Sequence, residues 1–291
     1  MTKKDIQDRR FYKAKQEARF ARELTPETPQ TLSKSYKLAF QDTEFLLREE
    51  LRPVRFQLEL LKPEMLLDEA GVASTIVVYG SARIPTPEEA DALLSAATSD
   101  RERTIAERLK EKAHYYNEAR GLAKLASSCG IKDEDGKRHF VVCSGGGPSI
   151  MEAANRGARD VGADTIGLNI VLPHEQAPNK YVTPDLSFQF HYFALRKMHF
   201  LLRARAVAVF PGGFGTFDEF FELLTLVQTG KIEPMPILLF GKQFWERVVN
   251  FEELMLEGVI SPKDLDLFQF VETAEEAWAE VVAFYDLQPC D

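Results

Sequence analysis

The sequence is short of the residues from which several kinds of protein are built. It holds only three cysteines, Cys129, Cys143 and Cys290, in 291 residues. Their spacing fits no metal site and their odd number no complete disulfide framework, so a reducing, cytoplasmic interior is expected. Cys143 falls inside a predicted strand, where a thiol behaves as a small buried hydrophobe. No apolar run approaches the ~20 residues needed to cross a bilayer. The opening, Met1-Thr-Lys-Lys-Asp-Ile-Gln-Asp-Arg-Arg10, has no apolar stretch suited to a secretion signal. An excess of positive charge is missing as well: 36 Lys and Arg stand against 45 Asp and Glu, a formal net charge of −9. That balance argues against general affinity for nucleic acid or an anionic membrane, while leaving room for a local basic pocket. There is no internal repeat, no low-complexity tract and no ligand cluster that suggests a metal, and no cofactor is expected.

What is present is an ordinary apolar fraction, 45%, with material for a sizeable core. Residues 1–70 are charged, rich in helix formers and punctuated by Pro26, Pro29, Pro53 and Pro63. They read as an N-terminal helical extension of two or three helices, lying against the main domain or another subunit. From residue 71 to 291 short apolar runs alternate with amphipathic segments. Strands are expected at 75–79, 140–143, 165–171, 187–193, 206–210, 235–240 and 268–271. Helices are expected at about 102–129, 149–159, 194–204, 217–227, 244–256 and 274–285. This alternation predicts an α/β fold: a Rossmann-like, doubly wound parallel sheet covered on both faces, with right-handed crossovers. Residues 85–115 are long for a strand–helix link and read as an insertion, a small subdomain or a lid.

Ligands of such sheets sit at the carboxyl ends of the strands, and the glycines collect there. The central stretch is Pro211-Gly-Gly-Phe-Gly-Thr216 between a buried strand and an amphipathic helix. Its glycines let a ligand approach the backbone, and the N–H groups of a new helix suit a phosphate. The pattern lacks the Lys of a P-loop and the glycine spacing of a dinucleotide site. Asp218 and Glu219 then fall in the first helical turn, where acids commonly serve the helix dipole. Beside an anion site a carboxylate is an odd neighbour unless it does chemistry, which makes Glu219 the candidate catalytic residue. Two further small-residue turns, Gly80-Ser81 and Gly145-Gly146-Gly147, end earlier strands and are candidates for ligand contact or plain tight turns. Pro148 suits a first helical position. Arg196 and Lys197 form a cationic pair on the helix before the central strand, suited to a phosphate or to water. His199 on that helix reads as packing, and His174-Glu175 as an acid–base pair or an ordinary loop dipeptide.

Pro211-Gly-Gly-Phe-Gly-Thr-Phe-Asp-Glu219 resembles the signature of the Lonely Guy (LOG) family, Pro-Gly-Gly-x-Gly-Thr-x-x-Glu, and Arg196-Lys197 stands at the family's usual distance upstream. Gly80-Ser81, Gly145-Gly146-Gly147 with Met151, Gly167-Leu-Asn-Ile170 and Leu172-Pro-His-Glu-Gln176 are similar to further family segments. The similarity runs over about 75–285. The N-terminal extension and the 85–115 insertion look like the longer bacterial subgroup. His199 departs from the short members, which often carry Glu there. The resemblance implies a phosphoribohydrolase that cleaves the N-glycosidic bond of a nucleoside 5′-monophosphate, AMP or a cytokinin riboside monophosphate, and it favours a homo-oligomer, at least a dimer. In that reading Glu219 acts on the ribose or the attacking water. Gly212, Gly213, Gly215 and Thr216 cradle the phosphate, and Arg196 binds phosphate or helps the departing base with Lys197 in support. Such proteins have been labelled lysine decarboxylases, a reaction that calls for a pyridoxal-phosphate lysine with its partners; nothing in the sequence supplies one. The alternative class is a carrier that binds a nucleotide or phosphorylated cofactor without cleaving it.

Overall fold

The computed structural model describes residues 11–173 and 177–288, and the chain divides into two compact units, Met1–Leu58 and Glu59–Asp291. In the first lie α1 (Ala14–Glu23), α2 (Thr43–Leu46) and the start of α3 (Arg52–Glu69), joined by 3₁₀ turns. None of its described residues is buried. The charged composition leaves too little apolar surface for a core of its own.

The second unit continues α3 and then alternates. First come β1 (Thr75–Tyr79), α4 (Pro87–Ala96), α5 (Asp100–Lys112), α6 (Tyr115–Ser128), β2 (Val141–Ser144) and α7 (Ile150–Asp160). They are followed by β3 (Thr165–Ile170), β4 (Ser187–Phe190), α8 (Phe193–Leu202), β5 (Ala204–Val209) and α9 (Phe214–Gln228). The chain closes with β6 (Ile237–Phe240), α10 (Lys242–Val248), α11 (Phe251–Leu256), β7 (Gln269–Val271) and α12 (Ala274–Tyr285). The seven strands form one sheet in the order β4-β3-β2-β1-β5-β6-β7, every pair parallel. This is the doubly wound, Rossmann-like architecture expected. Among the inner strands β1, β2 and β6 are buried along their whole length, as a sheet covered on both faces requires.

Side chains alternate across each strand, so one strand feeds two cores. Ile76, Val78, Val142, Ala206 and Ala208 pack under α6, α7 and α12 with Leu122, Ala154 and Trp278. On the opposite face Tyr79 meets Phe200 of α8 edge-on, ring centroids 5.1 Å apart. There Phe220 of α9 packs on Trp245 of α10 at 5.3 Å. Full burial of an aromatic of this size contributes about 2–3 kcal/mol. From β1 the chain runs outward through β2, β3 and β4, then returns to lay β5 against the other side of β1. The order therefore reverses between β1 and β5, where ligands of such sheets bind. The pairings Val78 with Ser144 and Tyr79 with Val209 bring the three glycine turns to one edge.

Several local expectations are corrected. The insertion is helical: α4 and α5 are separate helices begun by capping boxes, Thr86 with Glu89 and Ser99 with Glu102. The helix expected over 102–129 is broken after Lys112, and that over 244–256 at Val249–Asn250, where Asn250 caps a new start. α8 stops at Leu202, so Arg203 is its C-cap and Arg205 belongs to β5. Pro148 precedes the N-cap Ser149 and is not in the first turn. α9 opens at Phe214, three residues earlier than expected, with Gly213 as N-cap. Asp218 and Glu219 consequently lie in its second turn, beyond the reach of the dipole argument. The buried face is Thr216, Glu219, Phe220, Leu223 and Val227. Cys143 is a free buried thiol, as expected, whereas Cys129 is disulfide-bonded, so the cysteines do not speak for a reducing compartment. No helix among the described residues is long and apolar enough to cross a membrane.

Candidate active site

A cleft of about 800 Å³ opens at the carboxyl edge between β1 and β5. Its walls include Tyr79, Gly80 and Ser81 after β1, Gly145 and Met151 after β2, Arg196 on α8, and Gly213, Phe214, Gly215, Thr216 and Glu219 at the start of α9. The two central turns are stitched together by Ser81 N–H donating to Pro211 O at 3.1 Å. In the first turn of α9 the leading N–H groups have no acceptor within the helix, which leaves them for a ligand.

Gly212 lies behind this turn. A Cβ on it would stand 2.1 Å from Thr216 Oγ1, so only glycine lets the turn close over the buried threonine. Gly146 has φ +72°, and a Cβ there would meet Asn169 Oδ1 at 2.4 Å. Its loop is held from beneath. Asn179 N–H donates to Gly146 O at 2.8 Å and its Nδ2 to Gly147 O at 3.0 Å. Asn155, fully buried, accepts from Ser144 Oγ at 2.8 Å and from Asn179 Nδ2 at 2.8 Å, and donates to Thr165 Oγ1 at 2.6 Å. In the sequence Asn155 reads as reaching toward the pocket or as simply wet; in the structure it does neither. Asn179 was missed in the sequence, where it reads as one more polar residue of a loop.

Glu219 faces inward because the helix starts early, and its side chain is only 10% exposed. Arg196 Nη1 stands 4.0 Å from its Oε1 and is 15% exposed. Arg196 is itself fixed: Nε donates to Leu168 O at 2.7 Å, and the guanidinium lies over the Phe200 ring at 5.1 Å. Burial pushes the Glu219 carboxyl up to about 7, Arg196 and Lys197 pulling it down and Glu222 and Asp218 adding to the rise. A carboxyl with that value is part proton donor and part acceptor near neutrality.

Not every candidate is brought to the cleft. Lys197 turns to the outer side of α9, 3.0 Å from Asp218 and 3.1 Å from Glu222. Burial lowers its pKa, but these two acids more than offset that and the net direction is up. Gly146 and Gly212 shape the turns without lining the wall. His199 is packed as expected, its Nε2 3.1 Å from Glu59 O and its Nδ1 3.7 Å from Glu64. His174 and Glu175 lie outside the described residues. Among the described residues no group of three or more His, Cys, Asp or Glu could hold a metal ion.

A glycine-lined cleft at the switch point of a parallel sheet, with a buried carboxylate and a guanidinium in its wall, is the candidate ligand site of this α/β protein. Residues 151–281 match the family described as "Possible lysine decarboxylase". Over 140 residues the chain is 26% identical to the Arabidopsis thaliana protein named cytokinin riboside 5′-monophosphate phosphoribohydrolase LOG3, covering 47% of this chain and 63% of that one. To LOG2 of the same plant and same description it is 27% identical over 125 residues, 42% of this chain and 57% of the other. The chain thus spans about three fifths of the curated relatives it matches. These matches make the chain similar to the LOG family over its C-terminal half. Similar solved structures include a structural-genomics target, TM1055, at 19% identity, 72% of this chain, 99% of that chain and TM-score 0.46. Another is the molybdenum cofactor carrier protein of Chlamydomonas reinhardtii, at 17% identity, 73% and 99% coverage and TM-score 0.41. At that similarity neither bears on the chemistry of the site.

Proposed function

We propose that the protein hydrolyses the N-glycosidic bond of a nucleoside 5′-monophosphate, AMP or a cytokinin riboside monophosphate, to free base and ribose 5-phosphate. The observation that carries this reading is the Glu219–Arg196 pair, 4.0 Å apart in the wall of the cleft onto which the first turn of α9 opens. The 5′-phosphate lies against the N–H groups of Gly213, Phe214 and Gly215 and the hydroxyl of Thr216, where the helix start favours negative charge. Gly212 keeps that turn closed. The ribose then projects toward Glu219. Gly80, Ser81 and Gly145 form the opposite rim, with Gly146 shaping the turn behind it, which leaves the base between them and the aromatic edge of Phe193 and Phe214.

Breaking the C1′–N bond leaves its electron pair on the base, which takes up a proton, and builds positive charge on the sugar. Water adds to C1′ and loses a proton to the site. Ionised Glu219 stabilises the sugar cation or takes that proton, and a value near 7 keeps it basic enough to do so. Arg196 faces the phosphate or the departing base and holds Glu219 part-ionised despite its burial. Lys197 supports the arrangement from behind by fixing Asp218 and Glu222. A small-molecule substrate, a cytoplasmic setting and assembly as a dimer or larger homo-oligomer belong to the same proposal.

Incubation with AMP and chromatography for free adenine tests the reading. Wild type is expected to release adenine, and Glu219→Ala to release at least a hundredfold less. If both variants bind AMP and leave it intact, the chain is a carrier.

A further inference from the structure

The cleft contains a polar group that the proposed reaction does not use. Tyr79, the last residue of β1, lines its floor, is 5% exposed, and has no hydrogen-bond partner for its hydroxyl among the described residues. The ring is fixed edge-on against Phe200, so the hydroxyl is not free to turn toward water. A buried hydroxyl left unmatched is destabilising, because it has given up water and gained no partner. One retained beside a ligand cleft points to a partner acquired when the site is at work.

The neighbours narrow that partner. Glu219 and Glu222 of α9, Arg196 of α8 and Cys143 of β2 all act electrostatically on Tyr79, with Glu219 the strongest of the four. Arg196 has only N–H donors, and a tyrosine proton needs an acceptor. The Cys143 thiol is buried and protonated, since burial drives its pKa up, and sulfur accepts weakly. Glu222 Oε2 has no hydrogen-bond partner among the described residues either, but Lys197 neutralises it at 3.1 Å and its charge acts on Tyr79 least of the four. Glu219 remains. The Tyr79 hydroxyl keeps its proton, because burial drives its pKa well up and the Glu219 charge adds to that.

Resting on the reaction proposed above, we propose that Tyr79 is a positioning residue that donates its hydroxyl proton to the ionised Glu219 carboxylate and holds it toward the ribose. The groups facing Glu219 are then complete for each surrounding element: Arg196 and Lys197 on α8, Asp218 and Glu222 on its own helix, and Tyr79 on β1. Tyr79 and Arg196 approach the carboxylate from two elements, so the acid is gripped in one orientation when charged and released when protonated. No covalent step is added to the reaction.

The test is Tyr79→Phe in the full chain, read in two ways. A carbon-13 NMR titration of Glu219, assigned with Glu219→Gln, needs no substrate. Its pKa is expected to rise above the wild-type value by roughly one unit, because the charged form loses a donor. In nucleotide hydrolysis kcat is expected to fall roughly tenfold at unchanged KM, with the acidic limb of the pH profile moved up by the same amount. At acidic pH, where Glu219 is protonated and the hydroxyl has no partner, thermal stability is expected to hold or rise; a folded variant is thereby verified. In a Glu219→Gln background the Tyr79→Phe change is expected to have no further effect on rate. An unchanged Glu219 titration and an unchanged pH profile in Tyr79→Phe would overturn the proposal. If wild type cleaves no nucleotide, the reaction fails while the titration still judges the Tyr79–Glu219 coupling by itself.

Discussion

Glu219→Gln separates stability from activity. An exposed glutamate titrates at 4.5, whereas burial raises Glu219 to about 7 in the folded protein. Between those values the folded state holds a proton that the unfolded chain has released, so stability falls as pH rises through the window. At about 1.4 kcal/mol per pH unit the full cost approaches 3.5 kcal/mol above pH 7, and about 2 kcal/mol of it accrues between pH 5.5 and 8.5. Glutamine keeps the shape and cannot ionise. The variant is therefore expected to gain about 2 kcal/mol over wild type on going from pH 5.5 to 8.5, read from urea unfolding at both values. It is expected also to lose at least a hundredfold in nucleotide hydrolysis. A difference in stability between the two proteins that stays constant with pH would refute the assignment of a raised carboxyl at Glu219. Retained hydrolysis would refute its part in the chemistry.

Other expectations follow from the same geometry. Arg196→Gln takes away the guanidinium that lowers the Glu219 pKa, so Glu219 should titrate higher still and activity fall at least a hundredfold, seen in the pH–rate profile. Gly212→Ala places a methyl against Thr216 and forces the turn open; AMP affinity measured by calorimetry should drop at least tenfold, about 1.4 kcal/mol or more. Asn155→Ala leaves Ser144, Thr165 and Asn179 short of a buried partner, and urea unfolding should register a loss of about 2–3 kcal/mol.

Much of the sheet can be read from composition, because strands buried on both faces must be apolar throughout. Residues 75–79, 206–210 and 235–240 are such runs, and β1, β5 and β6 fall on them to within two residues. Their lateral order cannot be read in the same way, since parallel strands carry no turn that names a neighbour; β1 beside β5 follows from the crossover alone. The position of Glu219 was the larger gap. Periodicity counted from Phe217 put its acids on the open side of the first turn. A start at Phe214, allowed by Gly213 as N-cap, rotates the buried stripe onto Thr216 and Glu219. Tyr79 passed as one more apolar strand residue, and Asn155 and Asn179 as wet ones, because nothing in one chain marks a polar atom that another element covers. Breaks at Lys112 and Val249 likewise depend on what packs nearby, not on propensity.

The pairing of β1 with β5 has a consequence for how the molecule comes into being. The partners Tyr79 and Val209 are roughly 130 residues apart in the chain, and such remote contacts form late and slowly. A nascent polypeptide therefore has no binding crevice until α9 has left the ribosome, however well β1 to β4 have already assembled. Until then the inner edge of β1 stands open, a bare row of amides and carbonyls that a chaperone or the wrong strand can occupy.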